Sequence, residues 1–311
     1  MELNSPKLMR PNNFDLIRLL AALQVVLYHG MEFLRPGEAF SQWFAVFPRC
    51  FPGVPIFFVI SGFLVSASYK RSKTISSYAI NRGLRIYPGL WACLLFAIAS
   101  VVVLKPEVFT GVSLSEFFAW VVAQVSIVQF YNPDFLRSYG LGALNGSLWT
   151  IPVELQFYFM FPVTCFLIGS NKEIKNRTLL VLILLFLAFN QIQYHVLRDF
   201  NATTWNKVFN CTFFPHFWLF LVGVGIRQNF DRLLPYFEGK LIHWSLIHAA
   251  SVAFSMFLGQ PYGTNYPFPL VGLSLAGLTM AFAYTWRGLA DRLLNHNDTS
   301  YGVYILSLIH I

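Results

Sequence analysis

FDLIRLLAALQVVLYHG, Phe14 to Gly30, has the length and apolar content of a membrane-spanning helix, yet it carries Asp15, Arg18 and His29. An arginine or aspartate at a bilayer centre costs roughly 2.5–3.5 kcal/mol on insertion scales. A plain anchor has no use for such groups. Arg18 and His29 are eleven residues apart, about 1100° of helical rotation, so they share one face about 16 Å apart along the axis. Asp15, Arg18, Ala22, Val25, His29 and Glu32 advance by threes and fours and form one stripe. Polar groups within a span face the bundle interior or a water-filled cavity. Glu32, one turn beyond His29, is placed to orient the imidazole, which is then suited to moving a proton between an alcohol and a leaving group. Arg18 can hold an anion. The plainer reading pairs Asp15 with Arg18 at the interface and has His29 hydrogen-bond a neighbouring helix; spacing alone leaves both open.

The rest of the chain fits this span. Of 311 residues, 56% are hydrophobic and only 12% charged, against about 25% charged in a soluble domain. The expected fold is all-α: a polytopic integral membrane bundle filling 1–311 as one domain, with no soluble domain. About ten spans are expected, at 14–34, 51–69, 86–104, 114–131, 148–168, 178–195, 213–229, 241–259, 267–286 and from 301 onward, the last apparently incomplete. Lys7 and Arg10 ahead of the first run resemble a signal peptide, but the run is too long for one and no small-residue cleavage site follows, so a retained helix is expected. The net charge of +8 is gathered in short clusters between apolar runs. That pattern fits cytoplasmic loops and membrane lipids rather than nucleic acid. Cys50, Cys93, Cys165 and Cys211 are scattered without metal-ligand spacing, and neither a metal nor a disulfide is expected.

Topology contains one conflict. The linker with Lys70, Arg71, Lys73, Arg82 and Arg85 is the most basic and belongs in the cytoplasm, with the N-terminus beside it. If 114–131 spans fully, the loops with Lys172, Lys175 and Arg177, then Arg227, Arg232 and Lys240, fall outside. Keeping them inside requires 105–131 to be re-entrant or half-inserted. Ten full spans is the expectation.

Three further stretches carry candidate chemistry. In "FFVISGFLVSASYKR", Ser61 and Gly62 let a helix or ligand approach the backbone, although small residues in spans mostly serve packing. In "INRGLRIYPGLW", Arg82 and Arg85 share a face and suit phosphates, or simply lipid headgroups. In "NGSLWTIPVELQFYFMFP", Glu154 sits in an apolar helix five residues after Trp149 and one turn before Tyr158. A buried glutamate needs a partner or a proton, and the basic groups of the first and third segments are candidates.

In order, "FDLIRLLAALQVVLYH", "FFVISGFLV", "RGLRIYP", "SLWTIPVELQFY" and "SYGVYIL" resemble the membrane acyltransferase family 3, the O-acyltransferases of bacterial surface polysaccharides. They frame nearly the whole chain. The resemblance implies transfer of an acyl group, usually acetyl, from cytoplasmic acyl-CoA to a sugar hydroxyl in the bacterial inner membrane, with no permanently bound cofactor. By position, His29 is implied as the catalytic histidine, Arg18 as its partner, Arg82 and Arg85 as the donor-binding pair and Glu154 as the acidic position of the fifth span. Leu155 stands where many relatives have a second Glu, and Ser307 where a His is common, His310 following three residues later. His29 would act as a base or carry the acyl group transiently. The acceptor is expected to be a carbohydrate, lipid-linked or polymeric, arriving from the other side of the membrane.

A transporter using Asp15, Arg18, His29 and Glu154 as a substrate or proton relay is the competing reading. It lacks the paired interrupted helices and internal repeat expected of that class. A purely structural subunit would leave the Arg pair and Glu154 without a role. His216 and His248 are expected to be hydrogen-bonded bundle residues.

Overall fold

The computed structural model describes residues 12–34, 46, 48–137, 139, 142–195, 208–295 and 299–306, with side chains of the first helix described through Met31. The described fold is helical. In chain order the helices are α1 (Phe14–Leu34), α2 (Gly53–Arg71), α3 (Ile75–Leu104), α4 (Leu114–Val125), α5 (Thr150–Ile168) and α6 (Asn176–His195). Then come α7 (Phe217–Gln228), α8 (Phe230–Phe237), α9 (Leu241–Phe257), α10 (Pro269–Thr285), α11 (Leu289–Leu294) and α12 (Ser300–Leu306). Five segments, at α1, α2, α3, α5 and α6, are long and apolar enough to cross a membrane, while α4, α7, α9 and α10 are shorter apolar helices. Leu95, Val103, Phe166, Leu184, Ile242 and Phe257 are exposed on outer faces. Such a belt is what hydrocarbon requires of a bundle surface.

Contacts between loops fix which way each helix points. Lys70, at the end of α2, pairs with Glu173, beyond α5. Lys172 donates to the Ser72 carbonyl at 2.5 Å, and its ammonium lies 5.4 Å from the centre of the Tyr69 ring. The Gln228 amide exchanges hydrogen bonds with the backbone of Ile174, at 2.8 and 3.0 Å, and Asn176 bonds Asn229. Glu238 pairs with Arg287, and Asn13 donates to the Phe282 and Trp286 carbonyls. One end of the bundle, the basic end, therefore gathers the last turns of α2, α5, α7 and α10 and the first turns of α1, α3, α6 and α9.

This arrangement corrects the expected span at 114–131. Helix α3 leaves the basic end and α5 returns to it, so segment 105–149 begins and ends at the opposite end and makes no net crossing. It folds back along the outer half of α3, where Trp91 donates to the Val125 carbonyl at 3.2 Å. The helix there is α4, with 12 residues. Two buried glutamines end it. Gln124 donates to the Gln129 and Tyr131 carbonyls, and Gln129 donates back to the Gln124 and Ser126 carbonyls. These bonds satisfy backbone groups that a continuing helix would have used, and the apolar run turns instead.

The core is the crossing of α2 and α7. A Cβ on Gly62 would collide with the Phe220 carbonyl, and one on Gly223 with the Val59 carbonyl. In lipid, helix association rests on such close packing, so Gly62 serves packing, as the plainer reading held. Phe157, Phe161, Phe217 and Phe220 interlock beside this crossing with ring centroids 4.9 to 5.8 Å apart.

Candidate active site

The stripe on α1 is real but divided. Ala22 and Val25 are buried, and Arg18 and His29, on either side of them, open into different cavities. His29 lines an outer chamber of about 760 Å3, on the side away from the basic end, which Trp149 and Tyr28 also line. Arg18 lines an inner cavity of about 50 Å3 together with Ser61, Arg85 and Glu154. Val54, at the start of α2, and Tyr304, on α12, line both. They form the partition.

In the inner cavity the charges are held. Glu154 accepts hydrogen bonds from Ser61 Oγ at 3.1 Å and from the Tyr158 hydroxyl. Residues i and i+4 of one helix meet in this way, so Tyr158 is fixed by α5 itself, while Ser61 comes from α2 across the core. The Arg18 side chain is only 10% exposed and its Nη1 lies 3.3 Å from Asp15 Oδ1, whose carboxylate is 47% exposed. Arg82 places its guanidinium 5.7 Å from the centre of the Tyr158 ring. Arg85, on the same face of α3, reaches the cavity from an exposed position. Glu32 belongs to α1, but its side chain lies outside the described residues, as do Ser307 and His310.

Several residues that build the site carried no distinct sequence signal. The Tyr304 hydroxyl meets Thr150 Oγ1 at 2.7 Å and the Ser147 carbonyl at 3.3 Å, and its ring packs 5.3 Å from that of Phe57. The "SYGVYIL" stretch pointed to this segment without singling out a residue. Tyr301 lines the inner cavity and donates to the Ile86 carbonyl at 2.9 Å, tying α12 to α3. Gln24 accepts from the Gly53 N–H at 2.8 Å and donates to the Pro48 carbonyl at 2.7 Å, fixing the start of α2 beside the chamber. His248 bonds Ser274 and the Cys50 carbonyl, and His216 the Asn210 carbonyl. Both are the hydrogen-bonded bundle residues expected.

The acyltransferase domain family matches residues 12–311. This chain belongs to it. Nodulation protein 10 of Rhizobium leguminosarum bv. viciae is 33% identical over 312 residues, covering 96% of this chain and 82% of that protein. The O-acetyl transferase of Shigella phage Sf6 is 24% identical, over 95% of this chain and 83% of its own length. The peptidoglycan O-acetyltransferase OatA of Listeria monocytogenes is 27% identical over 187 residues, 56% of this chain but only 26% of that longer protein. No solved structure matches. The chain is thus an acyltransferase enzyme of the O-acetyltransferase kind.

Proposed function

We propose that this acyltransferase moves an acetyl group from acyl-CoA to a hydroxyl of a cell-surface or lipid-linked carbohydrate, with His29 as the base. The observation that carries the reading is the division of the α1 stripe: fixed charges toward the basic end, and a histidine in a roomy chamber toward the other. The donor's phosphates meet Arg82 and Arg85, and its thioester reaches the partition from the side of the basic end. The acceptor enters the outer chamber. His29 takes the hydroxyl proton as the oxygen attacks the thioester carbonyl. The C–S bond breaks, the ester forms, and the proton passes to the departing thiolate.

Of the described helices, α1, α2, α3, α5, α6, α7, α9 and α10 then cross the bilayer and α12 begins a further crossing, with 105–149 folded back at the outer face. Every basic loop that strained the ten-span reading comes to the same side as Lys70, Arg71 and Lys73. Lys/Arg asymmetry therefore puts that end, and the N-terminus, in the cytoplasm of a bacterial inner membrane. The test is expression in a bacterial host whose surface polysaccharide lacks O-acetyl groups, reading glycan mass and alkali-released acetate. An acetyl-sized gain from wild type that is absent in folded His29→Ala supports the assignment. Equal acetylation by wild type and His29→Ala overturns it.

A further inference from the structure

Among the described residues, the lining of the outer chamber holds no Asp, Glu, Lys or Arg. Arg49 stands outside that lining, exposed, with its guanidinium 5.7 Å from the centre of the Tyr28 ring. One wall is assembled as a unit from three distant parts of the chain. Trp149 enters ahead of α5 and Tyr266 from the loop before α10, and both line the chamber. Behind them sits His216, fully buried, its ring centroid 5.5 Å from Trp149 and 5.3 Å from Tyr266, stacked on the latter at 27°. Asn210 ties the unit together. Its carbonyl meets His216 Nε2 at 3.1 Å, and its Oδ1 accepts from the Tyr266 hydroxyl at 2.5 Å. Tyr266 is thereby held at its face and at its tip, so little freedom remains to be lost when something stacks on this wall.

We propose that Trp149 and Tyr266 are the face on which a ring of the acceptor stacks, and that the chamber selects an uncharged sugar residue. The proposal rests on reading the outer chamber as the acceptor site. A pyranose presents C–H groups to an aromatic face and hydroxyls at its edge, where Gln193 and Asn265 supply neutral donors and acceptors. Among the described lining residues, a uronate carboxylate or an amino-sugar ammonium would find no counter-charge to replace the water it loses. His216 and Asn210 are positioning residues, acting through the two rings.

The experiment uses the full chain in lipid nanodiscs with acetyl-CoA and three β-1,4-linked tetramers of one ring geometry: glucose, glucuronate and glucosamine. Binding is read by saturation-transfer NMR, and thioester hydrolysis is followed in the same samples. The glucose tetramer should bind at least tenfold more tightly than either charged tetramer. Trp149→Ala should remove that binding, and Tyr266→Phe should weaken it severalfold through the lost Asn210 bond. His216→Phe, which keeps a flat ring behind the wall, should retain more binding than His216→Ala at matched thermal stability. Equal or reversed preference among the tetramers, no binding to any of them, or undiminished binding by Trp149→Ala overturns the proposal. Hydrolysis separates the two levels: a wild-type chain that hydrolyses no more acetyl-CoA than His29→Ala defeats the acyltransfer mechanism, whereas hydrolysis without sugar preference defeats only the neutral-sugar assignment.

Discussion

The outer chamber and the inner cavity lie against the same three helices, α1, α2 and α12, but have opposite chemistry. The outer one is wide, and its described lining holds His29 among aromatic and uncharged polar residues. The inner one is narrow, with Arg18, Arg85 and Glu154 around about 50 Å3. A group that must come and go needs space and interchangeable hydrogen bonds. A group that must hold a charge in a bilayer needs fixed partners, because leaving it unpaired is expensive. Loss of function in the two cavities should therefore take two forms, chemical in one and electrostatic in the other.

The largest expected effect is at His29. His29→Ala should lower acetyl transfer by about 10²–10⁴-fold, the range for a positioned acid–base group, measured as ester formed per folded protein. A comparable loss in Ser61→Ala would break the comparison, since Ser61 touches only the inner network. Glu154→Gln comes next. It leaves Ser61 and Tyr158 donating to a neutral amide, and a hydrogen bond to a charged group is worth about 1.5–3 kcal/mol, so transfer should fall roughly ten- to a hundredfold. Tyr158→Phe should cost less than Glu154→Gln. Arg82→Ala should raise the KM for acetyl-CoA several-fold and flatten its salt dependence with kcat little changed, as expected of a phosphate contact outside the reacting centre. Gly62→Ala should lower stability by about 1–3 kcal/mol through overpacking against α7, read as a shift in thermal unfolding in detergent. The smallest effect is at Lys70→Ala, where a half-exposed pair is worth about 0.2–1 kcal/mol; its contact with Glu173 reports topology far more than stability.

The stripe on α1 was legible because helical periodicity is local: Arg18 and His29 can be placed on one face from their spacing alone. What separates them could not be read that way. The partition is made by Val54 and Tyr304, from α2 and α12, and no period in the sequence links either to α1. The same limit governed the span at 114–131. Its hydropathy is that of a crossing, and only the mutual bonds of Gln124 and Gln129 turn it back; two glutamines in an apolar run were the available signal. Glu154 was recognised as needing partners, and basic groups on α1 and α3 were named for it. Arg18 and Arg85 do share its cavity, while the hydrogen bonds come from the hydroxyls of Ser61 and Tyr158. A hydroxyl donor leaves no mark on charge patterning.

The partition also has a place in time. Val54 belongs to α2, near the start of this chain, whereas Tyr304, Tyr301 and Ser300 come from the last helix described. During synthesis the other helices can enter the membrane and pack before that final turn arrives. Until α12 docks on α3 through Tyr301 and on Thr150 through Tyr304, nothing on its side closes the inner cavity. The nascent bundle then has an inner cavity open along one flank, and α12 is the stopper that closes it.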